Sequence, residues 1–203
     1  MNIPLLRQIA DKEMLTSLFY KDYSIINGQM GAAIFFAFLS RVCDNHWYED
    51  FASELLDSVI SSTNISMPVN FAYGLCGIGW GIEFLKHHGF LEDDTDEILS
   101  EIDAAVMERD VRRITDSSFE TGMGGICAYV LSRLSSKRKN SGFNPFDSIY
   151  LSDLETSATR LCGSYPRNTP DEVWNICINT FATVSDVNWK KGLYHIFKEK
   201  VNE

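Results

Sequence analysis

Hydrophobic positions along the chain form two kinds of helix-length segment. In the first kind nearly every position is apolar or glycine, as in MGAAIFFAFL at 30–39 and GLCGIGWGIEFL at 74–85. In the second kind apolar residues recur every third or fourth position among polar ones, as in WYEDFASELLDSV at 47–59. A continuous apolar segment predicts a helix that is buried on all sides, and a one-sided segment predicts a helix that covers it. The pattern therefore predicts alternating inner and outer helices.

A Gly-x-x-Gly pair stands at the start of three continuous apolar segments. The pairs are Gly28 and Gly31, Gly74 and Gly77, and Gly122 and Gly125. A one-sided segment follows each pair, and a repeat of this length without strand signals is typical of stacked helical hairpins. We place the repeats near residues 27–63, 73–108 and 121–163, with a fourth near 169–202 that lacks the glycine pair.

These glycines require a reason, since glycine destabilises a helix interior by about 1 kcal/mol relative to alanine. We interpret them as structural glycines that let neighbouring inner helices approach closely. Together the patterns predict an all-α fold. We expect a single domain over residues 1–203, built from glycine-bearing inner helices and amphipathic outer helices.

The formal net charge of −10 for 203 residues restricts the expected partners. Nucleic acids and anionic membrane surfaces bind clustered lysine and arginine, so we expect neither of them. The longest apolar run, 30–39, is about half of the roughly 20 residues that a membrane-spanning helix needs.

Five cysteines are scattered along the chain without a Cys-x-x-Cys spacing. An odd number of unclustered cysteines favours reduced thiols in a cytoplasmic protein over a disulfide framework. The N-terminal stretch MNIPLLRQIADKEML has no uninterrupted apolar core and no small-residue cleavage site, so we expect no signal peptide.

The stretch GIGWG at 77–81 does not match a phosphate-binding loop. A dinucleotide-binding fingerprint needs Gly-x-Gly-x-x-Gly, whereas Gly77, Gly79 and Gly81 are evenly spaced by two. No P-loop lysine follows any of the glycine pairs. The glycines are therefore better explained by packing than by a bound nucleotide.

The three glycine motifs resemble those of a known family. NGQMGAAIFF, YGLCGIGWGIEFL and ETGMGGICAYVLSRL are similar to the glycine-bearing repeats of lanthionine synthetase C-like proteins, the LanC cyclase-like family, from Asn27 to Leu134. The resemblance implies an α/α toroid, with an inner ring of parallel helices inside an outer ring. The chain is about half as long as a full family member, so we expect a partial or half ring, or one that self-association completes.

The resemblance also implies a chemistry that this sequence does not support fully. The family's enzymes add a peptide cysteine thiol across a dehydroamino acid, with a zinc ion held by two cysteines and a histidine. The equivalent positions here are Ile26 and Asn27, Ala72 and Tyr73, and Glu120 and Thr121. None of these is a zinc ligand of that set, and Cys76 and Cys127 lie beyond the first glycine of their motifs. We therefore expect no metal and no cofactor.

A few polar residues are candidates for a site. Asn27, Tyr73 and Glu120 precede the glycine pairs at the predicted N-termini of inner helices, where the helix dipole favours an anionic ligand group. Glu83 is a charge within an apolar helix, and it either reaches a polar lumen or turns outward. Asp116 and Glu120 share one loop and are weak candidates for a general acid–base pair.

Three functions are compatible with these residues. The first is a zinc-free binding or accessory module for a peptide or protein partner, and we favour it because no complete catalytic constellation is present. The second is a lanthionine synthetase-type cyclase whose zinc site is supplied elsewhere or replaced. The third is a carboxylate-based toroid glycosidase that uses Glu120 and Asp116.

Overall fold

The computed structural model describes residues 1–92, 94–137, 142, 144–165 and 167–200. Within these ranges the regular structure is entirely helical, which confirms the all-α prediction. The helices are α1 (Ile3–Thr16), α2 (Gln29–Cys43), α3 (His46–Ser62), α4 (Leu75–His87), α5 (Thr95–Met107), α6 (Met123–Ser135), α7 (Ser148–Cys162), α8 (Pro170–Phe181) and α9 (Trp189–Lys200). Single 3-10 turns lie at Ser17–Phe19 and Val111–Arg113. The last residues of the predicted fourth repeat, 201–202, lie outside the described residues.

The chain forms two compact units. The first unit comprises Met1–Ser62 and the described residues from Asp171 onward, and the second comprises the described part of Thr63–Pro170. The first unit therefore contains α1 to α3, α9 and nearly all of α8, and the second contains α4 to α7. The predicted organisation as one domain stays a prediction.

In the first unit, α2 is the buried helix. Its residues from Gln29 to Ser40 are all buried, as the continuous apolar pattern predicts. The helix packs against α3 and α9. The ring of Phe36 meets that of Phe51 on α3 at 4.7 Å, and the ring of Phe38 meets that of Phe197 on α9 at 4.7 Å.

In the second unit, α4 and α6 are neighbouring inner helices, and each is covered by the helix that follows it. Helix α4 packs against α5 and α6, and α6 packs against α7. A Cβ added at Gly79 on α4 would collide with the ring of Tyr129 on α6. At Gly79 the glycine therefore does let a neighbouring inner helix approach, as the sequence predicts.

The loops that lead into α2, α4 and α6 share one backbone structure. We name these three segments, residues 22–28, 68–74 and 116–122, the pre-helix loops. In each, the first residue of the helix donates its N–H to the carbonyl at the start of the loop. The bonds join Gln29 to Asp22, Leu75 to Pro68, and Met123 to Asp116, each with an N–O distance of 2.9 Å. The repeat seen in the sequence is therefore also a repeat of local structure.

The first glycine of each pair has a different role from the one its spacing suggests. Gly28, Gly74 and Gly122 are the N-cap residues of α2, α4 and α6, with extended backbone angles. A Cβ at any of them would lie well inside van der Waals distance of the carbonyl oxygen at the start of its own pre-helix loop. The expectation of helix–helix contact is wrong for these three residues, because the loop's own backbone occupies the space.

Two of the three second glycines, Gly31 and Gly125, also face their own loops. A Cβ at Gly31 would meet the carbonyl of Ile25 and the ring of Trp189, and a Cβ at Gly125 would meet the carbonyl of Phe119. Gly77 is buried on α4. In the first and third repeats, the Gly-x-x-Gly pair thus allows a loop to close against the first turn of the helix that follows it.

Candidate ligand-binding site

Two adjoining pockets open on the second unit along α4 and α6. One has a volume of about 450 Å³ and the other about 430 Å³. They share Trp80 on α4, Ser132 and Ser135 on α6, and Pro170. Ligand-binding pockets typically have volumes of about 300–1,000 Å³, so either pocket is large enough for a ligand group. We name the two pockets together the α4–α6 groove.

The lining of the α4–α6 groove combines apolar rings with hydroxyl groups. Trp80 is only 1% exposed and stacks on Phe84, with 4.8 Å between the ring centroids. The hydroxyls belong to Ser132 and Ser135, together with Ser136 in the first pocket and Thr169 in the second. The Oγ atom of Ser132 is buried and has no hydrogen-bond partner among the described residues. Buried hydroxyls are normally hydrogen-bonded, so this unpaired hydroxyl on a lining residue is an exception.

Basic side chains surround the α4–α6 groove. Lys86 and Lys137 line the first pocket, and Arg167 lines the second. The carboxylate in the lining belongs to Glu83, and it is already engaged: its Oε1 accepts from Arg133 at 2.8 Å and from Thr95 at 2.7 Å. A basic groove on a chain whose net charge is −10 is a local reversal of charge. It favours ligands that carry negative charge.

A buried ionic cluster lies behind the groove and holds three helices together. Arg133 on α6 is fully buried, and its guanidinium contacts Glu83 on α4 and both Asp96 and Asp103 on α5, at 2.8, 3.0 and 2.6 Å. Tyr129 donates its hydroxyl to Asp103 as well. We name this set the Arg133 cluster. It links α4, α5 and α6 and so sets the positions of the groove's walls.

Burial affects the ionisation of the Arg133 cluster. Desolvation is the largest influence on Asp103 and raises the pKa of its carboxyl, although the hydrogen bonds from Arg133 and Tyr129 oppose that change. The guanidinium is the cation that makes a buried carboxylate tolerable here. The sequence left open whether Glu83 reaches a polar lumen or turns outward at the helix edge, and in the structure its carboxylate is bound by Thr95 on α5 and Arg133 on α6.

Of the four predicted ligand-binding residues, Glu83 lines the α4–α6 groove and the other three lie away from it. Asn27 is exposed in the first unit, and its Oδ1 accepts a hydrogen bond from Lys190 at 2.6 Å. Tyr73, which is 48% exposed, and the exposed Glu120 both belong to the second unit. Their loops are joined by a backbone hydrogen bond from Ala72 to Glu120 at 2.9 Å. The structure therefore brings two of the three residues onto neighbouring pre-helix loops.

Asp116, the candidate partner of Glu120 in acid–base catalysis, serves its own loop. Its carboxylate accepts from the N–H of Ser118 at 2.8 Å and from the hydroxyl of Thr121 at 2.7 Å. The hydrogen bond from Thr121 is the largest cause that lowers the pKa of Asp116. A carboxyl group that stays ionised at lower pH is a poor general acid.

The thiols do not fit the zinc site of the cyclases. Cys76 and Cys127 are fully buried, and burial raises the pKa of both thiols, that of Cys127 to about 12. Zinc coordination and nucleophilic attack both require the thiolate, which burial disfavours. In the part of the chain that the structure describes, no three His, Cys, Asp or Glu side chains are grouped so that they could hold a metal ion.

The groove residues were harder to find in the sequence than the glycines. Glu83 stood out as a charge in an apolar segment, and Arg133 on α6 is its counterpart. Ser132, Lys86 and Arg167 carry no sequence signal, because serine and basic residues near helix ends are common on ordinary surfaces.

Comparisons of the chain with protein-family models, curated proteins and solved structures found no match. Among the helices of the described residues, none has the length and apolar character needed to cross a bilayer.

Proposed function

We propose that this chain is a binding protein related to the lanthionine synthetase C-like family, and that it holds a peptide or protein partner without catalysing ring formation. The α4–α6 groove is the observation that carries the proposal. It offers two adjoining pockets, an apolar wall containing Trp80 and a buried hydroxyl on Ser132 that has no partner among the described residues. A few polar groups in a mainly apolar concave surface are typical of ligand sites.

The relationship to the family is supported by the pre-helix loops. The resemblance rests on three glycine motifs, and each motif has the same backbone hydrogen bond and the same crowded N-cap glycine. A shared local structure is what a true internal repeat would have. A ring completed by a second copy of the chain belongs to the same proposal.

Binding is favoured over the cyclase alternative by the state of the thiols. Cys76 and Cys127 are the cysteines of the glycine motifs, and burial keeps them protonated. The glycosidase alternative has no support from Asp116, whose carboxylate is held by its own loop. We place the protein in a reducing, cytoplasm-like compartment, because its five cysteines are free thiols.

The test is selection of peptides by the folded protein. We would pan a phage-displayed library of random linear peptides on the immobilised full chain and measure the affinity of selected peptides by isothermal titration calorimetry. Ser135 is exposed and lines both pockets, so Ser135→Trp should fill the groove and abolish binding without disturbing the core. Ser152 is exposed on α7 outside both pockets, and Ser152→Trp is the matched control.

Peptides that bind the wild type and the control but not Ser135→Trp would support the proposal. If no peptide is enriched, or if both variants bind as the wild type does, the α4–α6 groove is not a peptide site. Metal analysis of the same purified protein bears on the alternative, because one zinc ion per chain would favour the cyclase.

A further inference from the structure

We infer that the α4–α6 groove recognises an extended acidic peptide segment, in which carboxylate side chains alternate with apolar ones. This inference rests on the proposed function and specifies the chemical class of its ligand. The juxtaposition that carries it is a pair of adjoining pockets with partly apolar walls, each with one exposed cationic side chain in its lining.

Charge complementarity is the first step. Lys137 lies in the lining of the first pocket and Arg167 in that of the second, and both are exposed, so neither is buried in a structural ion pair. Glu83 does not cancel them, because its carboxylate is 4% exposed and is bound by Arg133. The groove therefore presents positive charge to a ligand, which favours an acidic one over a neutral or a basic one.

The apolar wall is the second step. Pro170 lines both pockets, and Leu91 in the first pocket and Leu131 in the second are half-buried, so these three side chains present apolar surface to the groove. A small, fully polar anion would leave these surfaces in contact with water. A ligand that carries apolar side chains next to its carboxylates would cover them and remove them from water.

The shape of the groove is the third step. Because Lys137 and Arg167 lie in different pockets, a ligand that meets both must extend across the shared residues Trp80, Ser132 and Ser135. Successive side chains of an extended peptide point to opposite sides, so acidic and apolar residues in alternation can meet the rim and the wall. Ser132 is one of the residues that both pockets share, and its hydroxyl has no hydrogen-bond partner among the described residues.

The experiment compares three peptides that share the same leucine positions: two that differ only in charge, and a third that is basic. Fluorescein-labelled GDLELDG, its amide counterpart GNLQLNG and the basic GKLKLKG would be titrated with the full-length protein, and their binding measured by fluorescence anisotropy. We expect the acidic peptide to bind at least about tenfold more tightly than the amide peptide, and the basic peptide to bind more weakly still. Binding of the acidic peptide should weaken as sodium chloride is raised, since salt screens exposed charges.

Lys137 and Arg167 form the charged rim of the groove, and variants at these two residues test whether they recognise the acidic peptide. The double variant Lys137→Gln, Arg167→Gln should bind the acidic peptide about three- to tenfold more weakly, and its binding of the amide peptide should not change. The control is Lys21→Gln, Lys191→Gln, which removes the same charge from the first unit and should bind both peptides as the wild type does. Circular dichroism of each variant establishes that it is folded.

The outcomes separate this inference from the proposed function. Equal binding of the acidic and amide peptides overturns the inference and leaves peptide binding intact. Equal losses in the rim and control variants also overturn it, because net charge and not the groove would then explain the preference. If none of the three peptides binds, the inference fails, and the peptide selection described above decides whether the groove binds peptides at all. Displacement of the acidic peptide by millimolar inorganic phosphate alone would identify a small-anion site and overturn it as well.

Discussion

Removal of the buried guanidinium is the sharpest test of how the second unit is held together. Arg133 is fully buried and contacts Glu83, Asp96 and Asp103, which come from two other helices. Arg133→Met keeps a side chain of similar length but leaves Glu83 and Asp103, each 4% or less exposed, without their cation. A buried charge that loses its partner costs about 3–5 kcal/mol.

That cost is large against the about 5–15 kcal/mol by which a typical protein is stable. Urea unfolding, followed by far-UV circular dichroism and by tryptophan fluorescence, measures it. With an m-value of about 2 kcal/mol per molar urea, a loss of about 4 kcal/mol lowers the unfolding midpoint by roughly 2 M. Adding Glu83→Gln and Asp103→Asn to Arg133→Met should restore part of the loss, because the two carboxylates are then neutral amides.

Arg113→Met is the matched control, since Arg113 forms an ion pair with Asp110 but its side chain is 87% exposed. Exposed ion pairs contribute little to stability, so this variant should unfold at the wild-type urea concentration. The reasoning would be refuted if Arg133→Met and Arg113→Met unfolded at the same midpoint. It would also fail if the neutral amides restored nothing, because the lost stability would then have a cause other than unpaired charge.

Two further predictions concern the pre-helix loops and the effect of pH. Gly74→Ala should lower the free energy of unfolding by about 1–3 kcal/mol because its Cβ collides with the carbonyl of Pro68. Gly124→Ala, whose Cβ would meet backbone atoms less closely, at 3.2 Å, should lower it by less; equal effects in urea unfolding would contradict the crowding argument. Burial raises the pKa of the Glu13 carboxyl above 4.5, so the folded state binds a proton there more tightly than the unfolded state does. The stability that this protonated carboxyl contributes at low pH is lost as pH rises through the raised pKa. Glutamine does not ionise, so Glu13→Gln removes this loss. In urea titrations the free energy of unfolding of the variant, minus that of the wild type, should increase from about pH 4 to pH 7; a difference that stays constant over this range would contradict the raised pKa of Glu13.

Much of the helical structure could be predicted from local pattern. The continuous apolar segment at 30–39 became the buried core of α2, and the one-sided segment at 47–59 became α3. Pro170 begins α8, as proline at a first helical position should, and Gly163 ends α7 in the left-handed conformation. These features follow from residues within one or two helical turns of each other, which a sequence shows directly.

The reason for the glycines could be predicted only in part. Their spacing indicates that backbone must come close, and it does at every first glycine of a pair. The spacing does not say which part of the protein comes close. At Gly74 it is the loop that precedes the helix, and at Gly79 it is a ring on the neighbouring helix. A missing Cβ shows that space is needed, but the occupant of the space depends on the path of the loop.

The chain's own sequence determined its helices, its three repeated loop–helix starts and the acidic character of its surface. The tertiary structure decided which charges meet and where a ligand can enter. Glu83 and Arg133 are fifty residues apart in sequence and form an ion pair at 2.8 Å only because α4 and α6 are neighbours. Ser132 and Trp80 likewise share the α4–α6 groove through that packing. Helix formation depends on local periodicity, whereas ion pairs and grooves depend on contacts between distant segments, which no local pattern encodes.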